Sequence, residues 1–107
     1  MGNYFVYIVT NKRKTVYFTG MTNDLERRLA EHFSNAGIQK TFTGRYHCYY
    51  LLYYEKHAKP SLAIEREKEI KKLSRSKKIL LINRDNPNHE FLNDQIMEWP
   101  PARYKAY

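Results

Sequence analysis

Two short runs dense in aromatic and β-branched residues, Tyr4–Thr10 and Thr15–Thr19, stand only four residues apart, with the polar stretch Asn11-Lys12-Arg13-Lys14 between them. Side chains of this kind suit a pleated surface and the polar stretch suits a turn, so the sequence predicts two strands joined by a short connection. Gly20 ends the second run. Thr22-Asn23-Asp24 then supplies helix-start chemistry, with Asn23 as the expected N-cap and Glu26 three residues on. Leu25, Leu29, Ala30 and Phe33 keep a helical period to about Ser34.

Residues 35–45 contain two glycines and several polar residues and read as a loop. The β-rich stretch His47–Tyr54 reads as a third strand. Lys59-Pro60-Ser61 opens a second helix, because proline suits the first helical position and serine can cap; this helix is expected to run through Leu73. Ser74-Arg75-Ser76 marks a break before a further helical turn or two over Lys77–Asn83. Asn86-Pro87-Asn88 breaks the pattern again. The sequence divides into one domain over residues 1–88 and an extension over residues 89–107. Phe91, Leu92, Ile96, Met97 and Trp99 suggest weak packing of its first part, and its end is expected to be mobile.

Nineteen Lys plus Arg against eleven Asp plus Glu leave a formal charge of +8 in a chain that is 42% hydrophobic. The apolar share argues against disorder and the one-sided charge points to a polyanionic partner, most simply nucleic acid. The single cysteine, Cys48, closes no intrachain disulfide and has no second thiol for a zinc site, so a reduced, cytoplasmic setting with no disulfide-linked partner is expected. Neither a signal-peptide pattern nor an apolar run of membrane-spanning length is present, and no membrane partner is expected.

More specific are Phe5-Val6-Tyr7-Ile8, Phe18-Thr19-Gly20 with the helix start through Leu29, Glu31-His32, Leu52-Tyr53-Tyr54-Glu55, Ala63–Lys71, and Arg75-Ser76-Lys77-Lys78 to Asn86-Pro87. In this order and spacing they resemble the GIY-YIG nuclease family, over roughly residues 3–88. Within the family the chain is similar to small single-domain members related to the catalytic module of excision-repair incision nucleases. The resemblance implies an α+β fold, a three-stranded antiparallel sheet flanked by helices, and a metal-dependent phosphodiesterase acting on DNA. It implies that Tyr7 is the general base toward the attacking water, that Arg28 faces the scissile phosphate, and that His32 is an active-site residue one helical turn beyond. It implies that Glu67 is the single carboxylate ligand of Mg²⁺ or Mn²⁺.

The chemistry suits those residue types. Phosphodiester hydrolysis builds negative charge on the phosphoryl oxygens, which a guanidinium and a metal ion stabilise. A tyrosine with a pKa near 10 is ionised to only about one part in a thousand at neutral pH, so Tyr7 needs a neighbouring cation or base; the metal, Arg28 and His32 are the candidates. Gly20 is structural in either of two ways: it supplies a φ that other residues avoid, or it keeps side chains away from the phosphate. One departure matters most. Phe18 stands where the family's second motif has a tyrosine, and neighbouring Tyr17 should point to the opposite face of the strand. Losing such a hydroxyl contact costs on the order of a hundredfold in rate.

Taken without the resemblance, Tyr7 is a packing aromatic, Arg28 a solvated helix arginine, His32 a surface or half-buried histidine, and Glu67 a surface carboxylate paired with Lys71. Glu69 is the second choice for the metal carboxylate. The stretch Lys71, Lys72, Arg75, Lys77 and Lys78 is the best candidate to follow a nucleic-acid backbone, with Lys12 and Arg13 of the hairpin turn as a second contact. Tyr46, Tyr49, Tyr50, Tyr53 and Tyr54 are candidates to stack bases, although about half of an alternating strand should face the core. The expected activity is endonucleolytic cleavage of DNA, single-stranded or branched, with roles in DNA repair. The alternative is a nucleic-acid-binding protein of the same fold impaired in turnover by Phe18. A third reading, a basic adaptor for an anionic protein, leaves the motif order unexplained.

Overall fold

The computed structural model describes residues 2–101. Three strands, β1 (Tyr4–Thr10), β2 (Tyr17–Thr22) and β3 (Tyr50–His57), form one antiparallel sheet in the order β2-β1-β3. Helices α1 (Leu25–Ser34), α2 (Phe42–Tyr46), α3 (Pro60–Lys71), α4 (Arg75–Asp85) and α5 (Asn93–Ile96) complete the α+β fold. The expected mobile end, residues 102–107, lies outside the described residues.

Strand alternation sorts the core into two layers. Val6 and Ile8 of β1 face Ala63 and Ile70 of α3 and Leu81 and Ile82 of α4. Tyr7 and Val9 point the other way, to Leu25 and Leu29 of α1, with Ile96, Met97 and Trp99 packed around them. Ile8 pairs with Tyr53 but Val9 pairs with Leu51, so Leu52 is an extra residue in a β-bulge.

Several boundaries differ from the sequence reading, each for a local reason. Gly20 does not end β2, which runs on to Thr22 in register with β1. The strand starts two residues late because the Asn11 side chain accepts from the backbone N–H groups of Thr15 and Val16, extending the turn. Asp24, not Asn23, caps α1: its carboxylate accepts from Arg27 N–H at 3.0 Å. Residues 35–45 are not all loop, because Thr41 caps the short α2 through Gly44 N–H at 3.0 Å. His47 closes α2 in the left-handed region, so β3 begins at Tyr50 instead. At its far end β3 reaches His57 because Glu55 is held by His57 and Arg66. Ser61 does not cap α3; Lys59 occupies the N-cap without a side-chain bond, and Pro60 opens the helix. Ser74 caps α4, which is longer than the expected turn or two.

The segment after Pro87 packs more firmly than its composition suggests. Asn93 is 2% exposed; it accepts from Leu51 N–H at 2.8 Å and donates to Tyr49 C=O at 2.9 Å. Leu92 N–H donates to Leu51 C=O, and the Asn86 amide donates to Leu52 C=O. The bonds to Leu51 and Leu52 occupy backbone groups of β3 that a fourth strand would otherwise pair, and the one to Tyr49 lies just before it.

Candidate active site

On the α1 face of the sheet, Tyr7 is fully buried and its hydroxyl lies 2.8 Å from His32 Nε2. The ring reaches this position because β1 pairs Tyr7 with Gly20. A Cβ on Gly20 would meet the phenol directly, and Gly20 has no positive φ. The conformational explanation for this glycine therefore falls away. Its role is to leave room for Tyr7.

His32 lies two turns into α1, with Arg28 one turn before it on the same face. Burial pushes the His32 imidazole down to about 4, and the Arg28 cation adds to that fall. The ring is therefore neutral at pH 7, and in the Nδ1–H tautomer its Nε2 accepts from the phenol. Burial pushes the Tyr7 phenol up to about 12; Arg28 pulls it down, while the carboxylates of Glu67 and Glu31 push it further up. The resting pair is thus a protonated phenol hydrogen-bonded to a neutral imidazole, with the phenol as donor in the Nδ1–H tautomer.

Arg28 Nε is 3.2 Å from Glu31 Oε1, yet its N–H is not aimed at that oxygen, and this buried donor has no hydrogen-bond partner. The guanidinium is ion-paired with Glu31 while its Nε–H lacks an aligned acceptor, a donor that a phosphate oxygen taking the place of Glu31 would satisfy. Glu67, on α3, lies within electrostatic reach of Tyr7 and forms an ion pair with Lys71 at 3.4 Å. Its side chain is 22% exposed. Among the described residues no three His, Cys, Asp or Glu side chains converge. Glu69 pairs instead with Arg66 at 3.1 Å, in a network that ties Glu55 to Tyr53, His57 and Arg66.

Phe18 pairs with Val9 and faces this same site, its ring edge-on to His32 at 5.9 Å. Tyr17 is no substitute for the missing hydroxyl. It lies on the opposite face, under the Arg75 guanidinium at 4.4 Å.

The basic residues divide. Arg75 is a brace: it donates to Lys14 C=O at 2.9 Å and Thr15 C=O at 3.0 Å, joining the start of α4 to the hairpin turn. Lys72, Lys77, Lys12 and Arg13 take part in no ion pair among the described residues, and Lys71 is committed to Glu67. The tyrosines divide as well. Tyr49 and Tyr50 pack against Phe33, Trp99 and Phe91, and Tyr53 is buried. Tyr46 is exposed, beside Phe42 at 4.9 Å. Phe42 was hidden in the sequence by the loop reading of residues 35–45; the signal that would have found it is Thr41 followed three residues later by Gly44, a capped turn.

Residues 3–79 match the family model described as the GIY-YIG catalytic domain, and the chain belongs to that family. Its relatives include the UPF0213 protein of Staphylococcus haemolyticus, 39% identical over 82 residues, covering 77% of this chain and 96% of that protein. A UPF0213 protein of Natronomonas pharaonis is 40% identical over 80 residues, covering 75% and 91%. The solution NMR structure of a UPF0213 protein from Bacillus halodurans superposes with a TM-score of 0.53 at 31% identity, over 90% of this chain and 97% of that one. The chain is a small GIY-YIG superfamily member. Among the described residues no helix is long and apolar enough to cross a membrane.

Proposed function

We propose that this protein is an endonuclease that hydrolyses phosphodiester bonds in single-stranded or branched DNA with the help of Mg²⁺ or Mn²⁺. The observation that carries this reading is the buried 2.8 Å contact between the Tyr7 hydroxyl and His32 Nε2, one helical turn from an arginine with an unpaired N–H.

A phenol near pKa 12 is a poor base alone. Its hydrogen bond to the neutral His32 imidazole holds the phenol in one orientation toward the attacking water, and the Arg28 cation, which pulls the phenol down, favours the phenolate that takes the water's proton. The resulting hydroxide attacks phosphorus and expels the bridging oxygen. Arg28 offers its N–H groups to the phosphoryl oxygens, where charge grows most.

A lone, partly exposed carboxylate on a well-formed helix fits an ion that keeps most of its waters and takes its remaining ligands from substrate phosphate, as Mg²⁺ does. Glu67 is the residue that would hold it, exchanging its Lys71 partner for the ion. When bound, the ion supplies Lewis-acid stabilisation of the leaving oxygen. Lys72, Lys77 and Lys78, with Lys12 and Arg13, draw the DNA backbone toward the site. A reducing cytoplasm suits Cys48, whose buried thiol is pushed up to about 11 and is unreactive.

A second reading rests on Phe18, whose ring faces His32 without a hydroxyl: a DNA-binding member of the family slowed in turnover. Incubation with labelled single-stranded, branched and duplex DNA in Mg²⁺ or Mn²⁺ separates the two. Cleavage that Tyr7→Phe and Glu67→Ala each reduce at least about a hundredfold supports the enzyme. Absence of cutting by both the parent and Phe18→Tyr ends the nuclease reading.

A further inference from the structure

The site does not stop at His32. Rings continue outward from it: Phe18 edge-on to His32, Phe42 near-parallel to Phe18 at 6.0 Å and 28°, then Tyr46 beside Phe42 at 4.9 Å. Phe42 is 46% exposed and Tyr46 41% exposed. They lie one helical turn apart on α2 and share one of its faces.

This strip is held in place. Thr41 and His47 close both ends of α2, and Gly37 N–H donates to Gly44 C=O at 2.8 Å. A Cβ on Gly44 would lie 2.5 Å from Ile38 C=O and 2.6 Å from Asn35 C=O, so α2 sits directly against the preceding loop. Large apolar rings this exposed and this well anchored have a use beyond packing.

The charge around them identifies the occupant. Between Glu31 and Glu55 the sequence has no carboxylate, while Lys40, Arg45 and His47 are sequence neighbours of Phe42 and Tyr46. Exposed aromatic rings on a basic segment, continuous through Phe18 and His32 with the site of Arg28, match a nucleobase whose phosphate continues into the site. In duplex DNA the base faces are already stacked and unavailable.

Resting on the nuclease reading for the position of the phosphate, we propose that Phe18, Phe42 and Tyr46 form a stacking platform for an unpaired base next to the scissile phosphate. It selects single-stranded over duplex DNA. Phe18 then has a positive role: an unhydroxylated ring extends the platform toward His32.

Steady-state fluorescence of a single-stranded oligonucleotide carrying 2-aminopurine, titrated with protein in EDTA, tests this without cleavage. The parent should quench the probe and bind this strand in preference to the same sequence as a duplex. The Phe42→Ala/Tyr46→Ala protein should lose the quenching and bind about tenfold more weakly, while Phe42→Trp retains both. An abasic strand of the same length should bind parent and double variant alike. Equal binding of the base-bearing strand by parent and a folded double variant would overturn the platform, as would preference for duplex. Dimerisation in sedimentation that the double variant abolishes would assign the patch to a second copy of the chain and also overturn it. Quenching by a parent that, like Phe18→Tyr, cuts nothing in Mg²⁺ or Mn²⁺ upholds the platform and ends the nuclease reading; cutting without quenching ends the platform alone.

Discussion

The Tyr7 hydroxyl occupies the space a side chain at residue 20 would need: a Cβ on Gly20 would lie 2.5 Å from that oxygen and 2.6 Å from Cζ. Backbone conformation does not demand the glycine, so Gly20→Ala should fold. The added methyl must push the ring of Tyr7 or Phe18 aside, at about 1–3 kcal/mol for an overpacked core. Because the displaced atom is the one that meets His32, cleavage should fall far more than stability does, by about a hundredfold or more. Thermal melting and single-turnover cleavage of the same preparation check both parts.

Acid should unlock the site through His32. Its imidazole titrates near 4 in the folded chain against an unfolded value near 6.5. The unfolded state therefore binds the proton more readily, and the stability is fully present above about pH 6.5 and lost as pH falls toward 4. The loss is on the order of 3 kcal/mol at most. Denaturant unfolding at several pH values between 4 and 8 measures it, and His32→Gln should flatten the dependence. At the alkaline end the buried Tyr7 phenol works in the opposite direction: its pKa is raised to about 12, so stability declines as pH rises above 10.

Phe18→Tyr adds one oxygen to a ring already edge-on to His32. If turnover is limited by the missing hydroxyl, cleavage should rise, by up to about a hundredfold. A drop in rate, with 2-aminopurine quenching also reduced, would mean that the bare ring is the better partner for substrate. Cleavage and quenching should be measured on both proteins.

The basic residues should separate by what their heads touch. Arg75→Ala removes two hydrogen bonds to the hairpin turn and a ring contact, so it should destabilise by about 1–2 kcal/mol in denaturant unfolding. Lys72→Ala should leave stability unchanged and lower the slope of log affinity against log salt by about one.

The strands and helices were legible because their signals are local: alternation in Tyr4–Thr10, the period of Leu25, Leu29 and Ala30, and proline at position 60. The motif order was legible too, and with it the family. What escaped was set by contacts between distant residues. Neither Asn86 nor Asn93 carries a sequence mark of the bonds it makes to β3 some 34 to 44 residues away. Arg75 looks like any member of a charge run until the hairpin turn is placed under it. The choice of Glu67 over its neighbours on α3 came from the resemblance. On α3, Glu67 is ion-paired with Lys71 and Glu69 with Arg66, and only Glu67 raises the Tyr7 phenol through its charge.

Those two asparagines and Leu92 have a further consequence. A small sheet has two rims, and a bare rim recruits strands from other molecules. Side-chain amides and one backbone N–H close part of the β3 rim here without adding a strand. A fragment ending at residue 88 would keep the residues of the candidate site and Asn86, yet uncover the part of the rim that Leu92 and Asn93 close, so edge-to-edge association would cost solubility before chemistry.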